Sequence, residues 1–205
     1  MINYSMKFNL TPRLFVSKIL IFILLAMMFV TNNIYDETGI ANISLEIAGY
    51  AFLFMSAIGR LWASAYISGK KSKELIINGS YSVSRNPLYF FSFLGYIGAG
   101  MAFESLVLTA GMGVMFFLTH WNTILSEEKG NRQRFGSVYD EYAKNVPRFI
   151  PNPRRFKVGD NAVLFTKPFF RACIGSTLIV CVFASAHFIE WCHINSIVPV
   201  LFYIP

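Results

Sequence analysis

The chain has 205 residues, of which 55% are hydrophobic and only 14% are charged, and its formal net charge is +7 at pH 7. Soluble domains carry about a quarter charged residues, so this composition excludes an ordinary soluble domain and indicates a membrane protein. The positive charge lies in short segments between apolar runs rather than on a soluble basic fold, which argues against nucleic acid as a partner.

Apolar runs along the chain predict membrane-crossing helices. Crossing roughly 30 Å of hydrocarbon takes about 20 apolar residues. The candidate spans are Leu14–Val30, Ile47–Ile67, Leu88–Phe103, Leu106–Leu125 and Phe169–Ile189. The third is short, and a tight turn at Phe103–Ser105 joins it to the fourth, so these two are predicted to form a helical hairpin. The sequence thus predicts an all-α, polytopic membrane bundle of about five transmembrane helices.

These runs divide the chain into three regions. Residues 1–68 hold the first two spans, and residues 69–157 hold the hairpin and a cytosolic amphipathic segment. Residues 158–205 hold the last span and a short apolar tail, Ile197–Pro205, which is too short to cross a membrane. No small-x-small cleavage site follows the first run, so it is interpreted as a true span rather than a secretory signal. The three cysteines fit neither a metal motif nor a disulfide framework.

Basic segments alternate with the spans. The first eighteen residues hold three bases and no acid, the sequence KKSK follows the second span, and a long basic segment from Lys129 to Lys167 follows the fourth. The intervening loop after the first span is acidic. By the positive-inside tendency, the N-terminus and the basic segments are predicted to be cytosolic. Soluble cofactors and membrane lipids could both reach polar residues at that face.

Arg60 is an ionisable residue inside the second predicted span. Such residues are costly in a membrane and usually face a bundle interior or a functional cavity. Alternatively, Arg60 snorkels to the cytosolic surface, which lies within two helical turns. The sequence leaves both interpretations open.

The stretch NGSYSVSRNPLYFF, Asn78 to Phe91, precedes the third span. Asn86 as N-cap with Pro87 at the first helical position predicts a helix start. Neither explains Arg85, whose charge opposes the positive end of the helix dipole. We expect Arg85 to meet an anion, either a carboxylate of the protein or a ligand.

The fourth span leaves the membrane as THWNTILSEEK. His120 and Glu127 are seven residues apart and share a helix face. Glu127 and Glu128 lie at a helix C-terminus, where carboxylates oppose the dipole, so partnership with Arg85 or a bound cation is predicted. No metal site is predicted, since the spacing matches no known ligand pattern.

Residues 134–152, RFGSVYDEYAKNVPRFIPN, carry an apolar-aromatic stripe at helical spacing that includes Phe135, Tyr139 and Tyr142. This pattern predicts an amphipathic helix on the membrane surface that ends at Pro147. Its aromatic side chains could equally form the wall of a cofactor pocket.

Together these motifs resemble the integral-membrane methyltransferases typified by isoprenylcysteine carboxyl methyltransferase and the phospholipid N-methyltransferases. The family pattern reads roughly G-x-Y-x-x-x-R-H-P-x-Y-x-G, a hairpin, then E-E-x-x-L-x-x-x-F-G-x-x-Y-x-x-Y-x-x-x-V-P. The chain follows it from Gly79 to Pro147 with three departures: Asn86 for histidine, Phe91 for glycine and Asn131 for leucine. Asn86 cannot carry a titrating proton, and Phe91 is expected to change the packing against its helix. Altered substrate or lost activity is therefore an open outcome.

The resemblance implies transfer of a methyl group from S-adenosylmethionine to a membrane lipid or lipidated substrate. It implies that Arg85 and Glu128 form the catalytic pair. Substrate-binding roles are predicted for Arg60 and Arg148, and the acceptor and oligomeric state stay open. A carboxylate or phosphate acceptor needs no general base, whereas an amine does, and Glu128 or His120 would be the candidates. The predicted cofactor contacts are Asn86, Pro87, Tyr89, His120, Glu127, Phe135, Tyr139 and Tyr142.

Two other functions fit parts of the sequence. A sterol-type reductase would bind NADPH, and Arg148, Arg154 and Arg155 could hold its 2′-phosphate. A non-catalytic membrane scaffold, or a degenerate family member, would use the glycines of the hairpin for close helix packing.

Overall fold

The structure is a computed structural model that describes residues 26–27, 29–33, 39–68, 70, 73–158 and 166–204. Most of these residues are helical, as predicted. The elements in chain order are β1 (Thr31–Asn33), α1 (Ile40–Ile67), α2 (Ser80–Val83), α3 (Pro87–Ala102), α4 (Leu106–Asn145), a 3-10 turn (Pro153–Arg155), α5 (Thr166–Ile194) and β2 (Phe202–Ile204).

Two of the described helices, α1 and α5, are long and apolar enough to cross a membrane. Both extend beyond the predicted spans, since α1 begins at Ile40 and α5 ends at Ile194. Helix α3 is apolar but has only 16 residues. The first predicted span, Leu14–Val30, lies almost wholly outside the described residues. The predicted count of about five transmembrane helices is therefore not confirmed.

The bundle is held together where α1 packs against α3 with very little space between the two backbones. A Cβ atom at Gly49 would lie 2.6 Å from the Ala102 nitrogen, and one at Gly98 would lie 2.8 Å from the Gly49 oxygen. Larger side chains at either position would push the helices apart. The prediction that glycines of the hairpin permit close helix packing is thus met within the chain itself.

Phe91, the residue that replaces a family glycine, occupies a notch in α1. A Cβ atom at Gly59 would overlap the Phe91 ring, and Trp62 packs edge-on against the same ring with centroids 6.1 Å apart. The Phe91 side chain fits on α3 because Gly59, the residue that faces it on α1, has no side chain.

The predicted hairpin is formed by α3 and the first part of α4. Glu104 in the connecting turn has a positive φ of 52°. Ser105 caps α4, since its hydroxyl accepts a hydrogen bond from the Leu108 nitrogen at 3.2 Å. Phe93 and Phe116 then pack across the pair with ring centroids 5.3 Å apart.

The amphipathic segment predicted over residues 134–152 is in part a second helical stretch, which follows a kink at Gly136 and ends at Asn145. Helix α4 runs for 40 residues, through the end of the apolar run and on to Asn145, with a break in direction at Gly136. Gly136 has φ 54° and ψ −130°, a conformation with a positive φ that glycine adopts at little cost. The remaining residues of the predicted range, 146–152, are not helical.

A short parallel strand pair departs from the all-α prediction. Thr31 pairs with Phe202, and Asn33 pairs with Ile204. The main-chain nitrogen of Leu201 donates to the oxygen of Val30 at 2.8 Å, which extends the pairing. The apolar tail Ile197–Pro205, too short for a span, thus supplies a strand to the residues that precede α1.

Candidate functional site

The start of α3 positions Asn86, but that side chain does not cap the helix. The helix begins at Pro87 as predicted, and Asn86 occupies the N-cap position without a capping hydrogen bond. Its Nδ2 instead donates to Glu128 Oε1 at 2.9 Å and to the Arg148 main-chain oxygen at 3.0 Å. The Ser84 hydroxyl accepts from the Asn86 nitrogen at 3.2 Å. The capping role expected of the side chain is replaced by two tertiary hydrogen bonds.

Glu128 is the centre of the polar network, and only 8% of the residue is exposed. Besides the Asn86 amide, its Oε1 lies 3.6 Å from Arg85 Nε. Its Oε2 accepts a hydrogen bond from Arg148 Nε at 3.0 Å. The carboxylate that Arg85 was expected to meet is therefore Glu128, and both oxygens of Glu128 are already engaged.

A return segment, residues 146–152, closes over this network after α4 ends. The Arg85 nitrogen donates to the Pro147 oxygen at 2.8 Å, and the Asn152 nitrogen donates to the Val83 oxygen at 2.9 Å. The Ser84 hydroxyl donates to the Phe149 oxygen at 3.0 Å. These bonds hold the segment against the start of α3 and bring Arg148 to Glu128.

Phe149 anchors the return segment in an aromatic cluster between α3 and α4. Its ring centroid lies 5.8 Å from those of Phe90 and Phe93 and 5.9 Å from that of Phe116. Trp121 completes the cluster at 6.4 Å. The sequence analysis did not identify Phe149 as a packing residue; the only signal was its place between Pro147 and Pro151.

A cleft of about 380 Å³ opens above Glu128. Most residues predicted to be catalytic or to contact a cofactor line it, namely Arg85, Asn86, Tyr89, Glu127, Glu128, Phe135, Tyr139 and Tyr142. Residues that the sequence analysis missed form another wall, including Ile67, Glu74, Leu75, Ile76 and Arg134. The apolar pair Leu75-Ile76 within a charged loop was the available signal for that wall.

Tyrosines on the cleft wall are neutral hydrogen-bonding groups. Burial raises the pKa of Tyr81 and of Tyr142 far above the usual value. Burial also raises the pKa of Tyr139, Glu128 adds to that effect, and Arg85 opposes it. The Tyr142 hydroxyl donates to the Tyr81 oxygen at 2.7 Å, which ties the end of α4 to α2. Tyr89, on the opposite side, hydrogen-bonds to Glu127.

Four predicted site residues do not line the cleft. One of them, Arg148, contacts Glu128 from the return segment. Pro87 is fully buried at the start of α3. Arg60 donates from Nη1 to the Ser92 hydroxyl, deeper in the bundle. His120 stacks on Phe116 with centroids 4.7 Å apart and meets Tyr89 edge-on at 6.0 Å. Their roles in binding stay predictions.

The hydrogen bonds of His120 identify its tautomer. The Thr119 hydroxyl donates to the Met115 oxygen at 2.7 Å and so acts as the acceptor in its 2.7 Å contact with His120 Nδ1. The second partner of Nδ1, the Phe116 oxygen at 3.3 Å, is also an acceptor. Nδ1 therefore carries the proton, and Nε2 of the neutral ring is left as an acceptor.

Comparisons with known proteins place the chain among related sequences. The family model for phospholipid methyltransferases matches residues 38–138. The nickel-cobalt-cadmium resistance protein NccN of Alcaligenes xylosoxydans xylosoxydans is 30% identical over 185 residues, which cover 87% of this chain and 86% of that protein. The cobalt-zinc-cadmium resistance protein CzcN of Cupriavidus metallidurans is 32% identical over 139 residues, or 68% of this chain and 63% of that protein. No solved structure matches. With its helical fold and two membrane-compatible helices, the chain belongs to the phospholipid methyltransferase family.

Proposed function

We propose that the protein transfers a methyl group from S-adenosylmethionine to a membrane-borne acceptor. The observation that carries the proposal is the cleft, where the buried Glu128 carboxylate meets Arg85, Arg134 and an aromatic wall next to apolar helix ends. Family membership supports methyl transfer in general. The lipid nature of the acceptor is our inference from the apolar helices that surround the site.

The residues of the cleft fit the proposed cofactor. Its volume of about 380 Å³ falls within the range of roughly 300–1,000 Å³ that is common for small-molecule sites. Leu75 and Ile76 offer apolar contact for the adenine ring. Glu127 would attract the cationic ammonium and sulfonium groups, and Arg134 would attract the carboxylate. When bound, S-adenosylmethionine supplies a methyl group activated by its positively charged sulfur.

Glu128 is suited to positioning rather than to removing a proton. Each of its oxygens already accepts a hydrogen bond, from Asn86 or from Arg148, and one also faces Arg85. We propose that Glu128 holds Arg85 in place and that Arg85 orients the acceptor. An amine acceptor needs a general base; His120 lies behind Tyr89 and outside the cleft lining, so it would serve only an acceptor that enters between the helices.

We further propose that the chain crosses the membrane several times, with the N-terminus and the cleft on the cytosolic side. This orientation follows from the basic segments, which precede the first predicted span or lie beside the cleft. The cofactor would then enter from the cytosol, and the acceptor from the bilayer.

The reductase alternative is disfavoured by where its phosphate-binding candidates lie. Arg154 and Arg155 line a separate surface cavity with Lys157 rather than the cleft. The relatives are named for resistance to metal ions. In the part of the chain that the structure describes, no three His, Cys, Asp or Glu side chains are grouped to hold a metal ion. No observation on this chain favours a metal-binding activity.

The test is calorimetric titration of the detergent-purified protein with S-adenosylmethionine, beside two matched variants. Glu127→Gln removes a carboxylate that lines the cleft, and Glu141→Gln removes an exposed one on the same helix. We expect the affinity to fall by about tenfold or more in the first variant, the effect of losing one charged contact, and to be unchanged in the second. Absence of binding by the folded wild type, or equal losses in both variants, would contradict the proposal.

A further inference from the structure

Arg60 carries a positive charge for which the structure shows no counter-ion. It lies seven residues before Ile67, the last residue of α1, which places it about 10 Å from that end of the helix. Among the described residues, no carboxylate forms an ion pair with Arg60, and its Nε is buried without a hydrogen-bond partner. Nη1 is bonded to the neutral Ser92 hydroxyl.

The Arg60 side chain lies between helices instead of reaching toward the membrane surface. Ser92, its partner, is on α3, and a Cβ atom built on Gly175 of α5 would be 3.8 Å from Nη2. The contacts with two neighbouring helices fix the guanidinium inside the bundle. They favour the cavity interpretation of Arg60 over snorkelling.

The neighbouring polar groups do not neutralise the charge. Tyr96 of α3 and His120 of α4 lie within electrostatic range of the guanidinium, and neither side chain is negative at neutral pH. The ring centroids of Tyr96 and His120 are 5.5 Å apart. Four helices therefore converge on a guanidinium that has no ion-pair partner among residues 39–68, 73–158 and 166–204, and two aromatic polar side chains lie beside it.

We propose that Arg60 binds the anionic group, a carboxylate or a phosphate, of a membrane amphiphile. A guanidinium has five N–H donors in a planar fork, which suits two-point contact with either anion. The Ser92 hydroxyl satisfies one donor of that fork. A charge buried in apolar surroundings is otherwise costly unless it is paired, and an amphiphile brings both the counter-charge and an apolar chain for the helix faces.

The site is adjacent to the cleft but distinct from it. Tyr89 lines the cleft and contacts His120, which in turn contacts Tyr96 near Arg60. An anion at Arg60 would therefore lie beneath the cleft, separated from it by aromatic rings. Binding there does not depend on methyl transfer, although under the proposed function a bound amphiphile is well placed as the acceptor.

The test measures binding of three probes with the same hydrocarbon chain to protein purified in an uncharged detergent. Radiolabelled oleate, oleyl phosphate and oleyl alcohol are compared by equilibrium dialysis. We expect the wild type to bind the better of the two anions about tenfold or more tightly than the alcohol, because a charge-assisted contact is added. The comparison of oleate with oleyl phosphate identifies the preferred anion.

Variants assign this selectivity to Arg60. Arg60→Gln should reduce anion binding to the level of the alcohol, whereas Arg171→Gln, at an exposed arginine on α5, should preserve the selectivity. If Arg60→Gln does not fold, Arg60→Lys keeps the charge without the fork and should show a reduced preference for the anion. Equal binding of all probes by the wild type, or full selectivity in either Arg60 variant, would overturn the proposal.

The same samples are titrated with S-adenosylmethionine, which separates this proposal from the proposed function. Selectivity for anions without cofactor binding would support the Arg60 site and count against methyl transfer. Cofactor binding without selectivity for anions would count against the Arg60 site and support methyl transfer.

Discussion

The ion pairs of α4 allow burial and distance to be compared as sources of stability. Glu128 Oε2 lies 3.0 Å from Arg148 Nε, with the two side chains 10% and 42% exposed. Asp140 Oδ1 lies only 2.6 Å from Arg132 Nε, but these side chains are 47% and 63% exposed. Distance alone ranks the exposed pair as the stronger. Burial predicts the opposite ranking: neutralising the carboxylate of the buried pair should cost more stability than neutralising that of the exposed pair.

Glu128→Gln should destabilise the protein by about 3–5 kcal/mol, the cost of leaving buried charge unpaired. The amide keeps the shape of the side chain but removes the charge that Arg85 and Arg148 share. It also places an NH₂ group against either the Asn86 amide or the Arg148 guanidinium, so one pair of donors must face each other. Asp140→Asn, the matched control, should cost about 0–1 kcal/mol because water screens the pair.

Unfolding of the detergent-purified variants by heat and by denaturant measures the difference. At roughly 2–4 °C per kcal/mol for a chain of this size, Glu128→Gln should melt well below the wild type and Asp140→Asn within a few degrees of it. Equal losses in the two variants, or a larger loss in Asp140→Asn, would refute the idea that the Glu128 network is a structural centre of the site.

Thermal unfolding tests three further predictions. Gly59→Ala should cost about 1–3 kcal/mol because its methyl group overlaps the Phe91 ring, and Phe91→Gly in the same chain should relieve that clash. Gly130→Ala, where the nearest atom to a new Cβ is 4.0 Å away, should instead be neutral or stabilising; similar losses at both glycines would contradict the packing argument. Phe149→Ala should cost about 3–5 kcal/mol because it empties the aromatic cluster, and an unchanged melting temperature would show that the return segment is not anchored there. Stability should fall as the pH rises above about 10, the usual tyrosine pKa, because burial raises the pKa of Tyr142 and the folded state then holds more protons than the unfolded state. Tyr142→Phe should make that alkaline loss smaller, and an identical pH profile would exclude this tyrosine as its source.

Local signals in the sequence located the helices, and tertiary contacts decided what individual side chains do. The start of α3 could be predicted from Asn86 and Pro87, since the preference of proline for the first turn acts locally, although the Asn86 side chain makes no capping hydrogen bond. The bond from Asn86 to the Arg148 oxygen joins residues 62 positions apart, and no local pattern indicates it. The packing of Phe91 against Gly59 likewise depends on how α1 and α3 meet. The sequence showed only that Phe91 stands where the family pattern has glycine.

Other differences arose where one pattern fits two structures. The aromatic stripe of Tyr139 and Tyr142 keeps helical spacing whether or not its helix is joined to the preceding one. The backbone angles of Gly136, which are not helical, show that a kink divides α4 at this residue. The parallel pairing of β1 and β2 involves three residues on each side, too few to produce a period-two signal. Arg60 was left between two interpretations because the sequence does not say which helices flank it.

The two arginine environments divide the tasks of the proposed reaction. Arg85 and Arg148 share one carboxylate, so Glu128 balances one of their two positive charges and holds Arg85 in place at the cleft. Among the residues that the structure describes, the hydrogen-bond partner of Arg60 is a neutral hydroxyl, so we propose that its charge acts on a ligand. An acceptor with an anionic group would then be selected within the bundle and presented upward to a cofactor in the cleft. On this reasoning, replacing Arg60 alters the choice of acceptor while cofactor affinity is retained. Replacing Glu128 instead weakens the fold, acceptor binding and cofactor binding together.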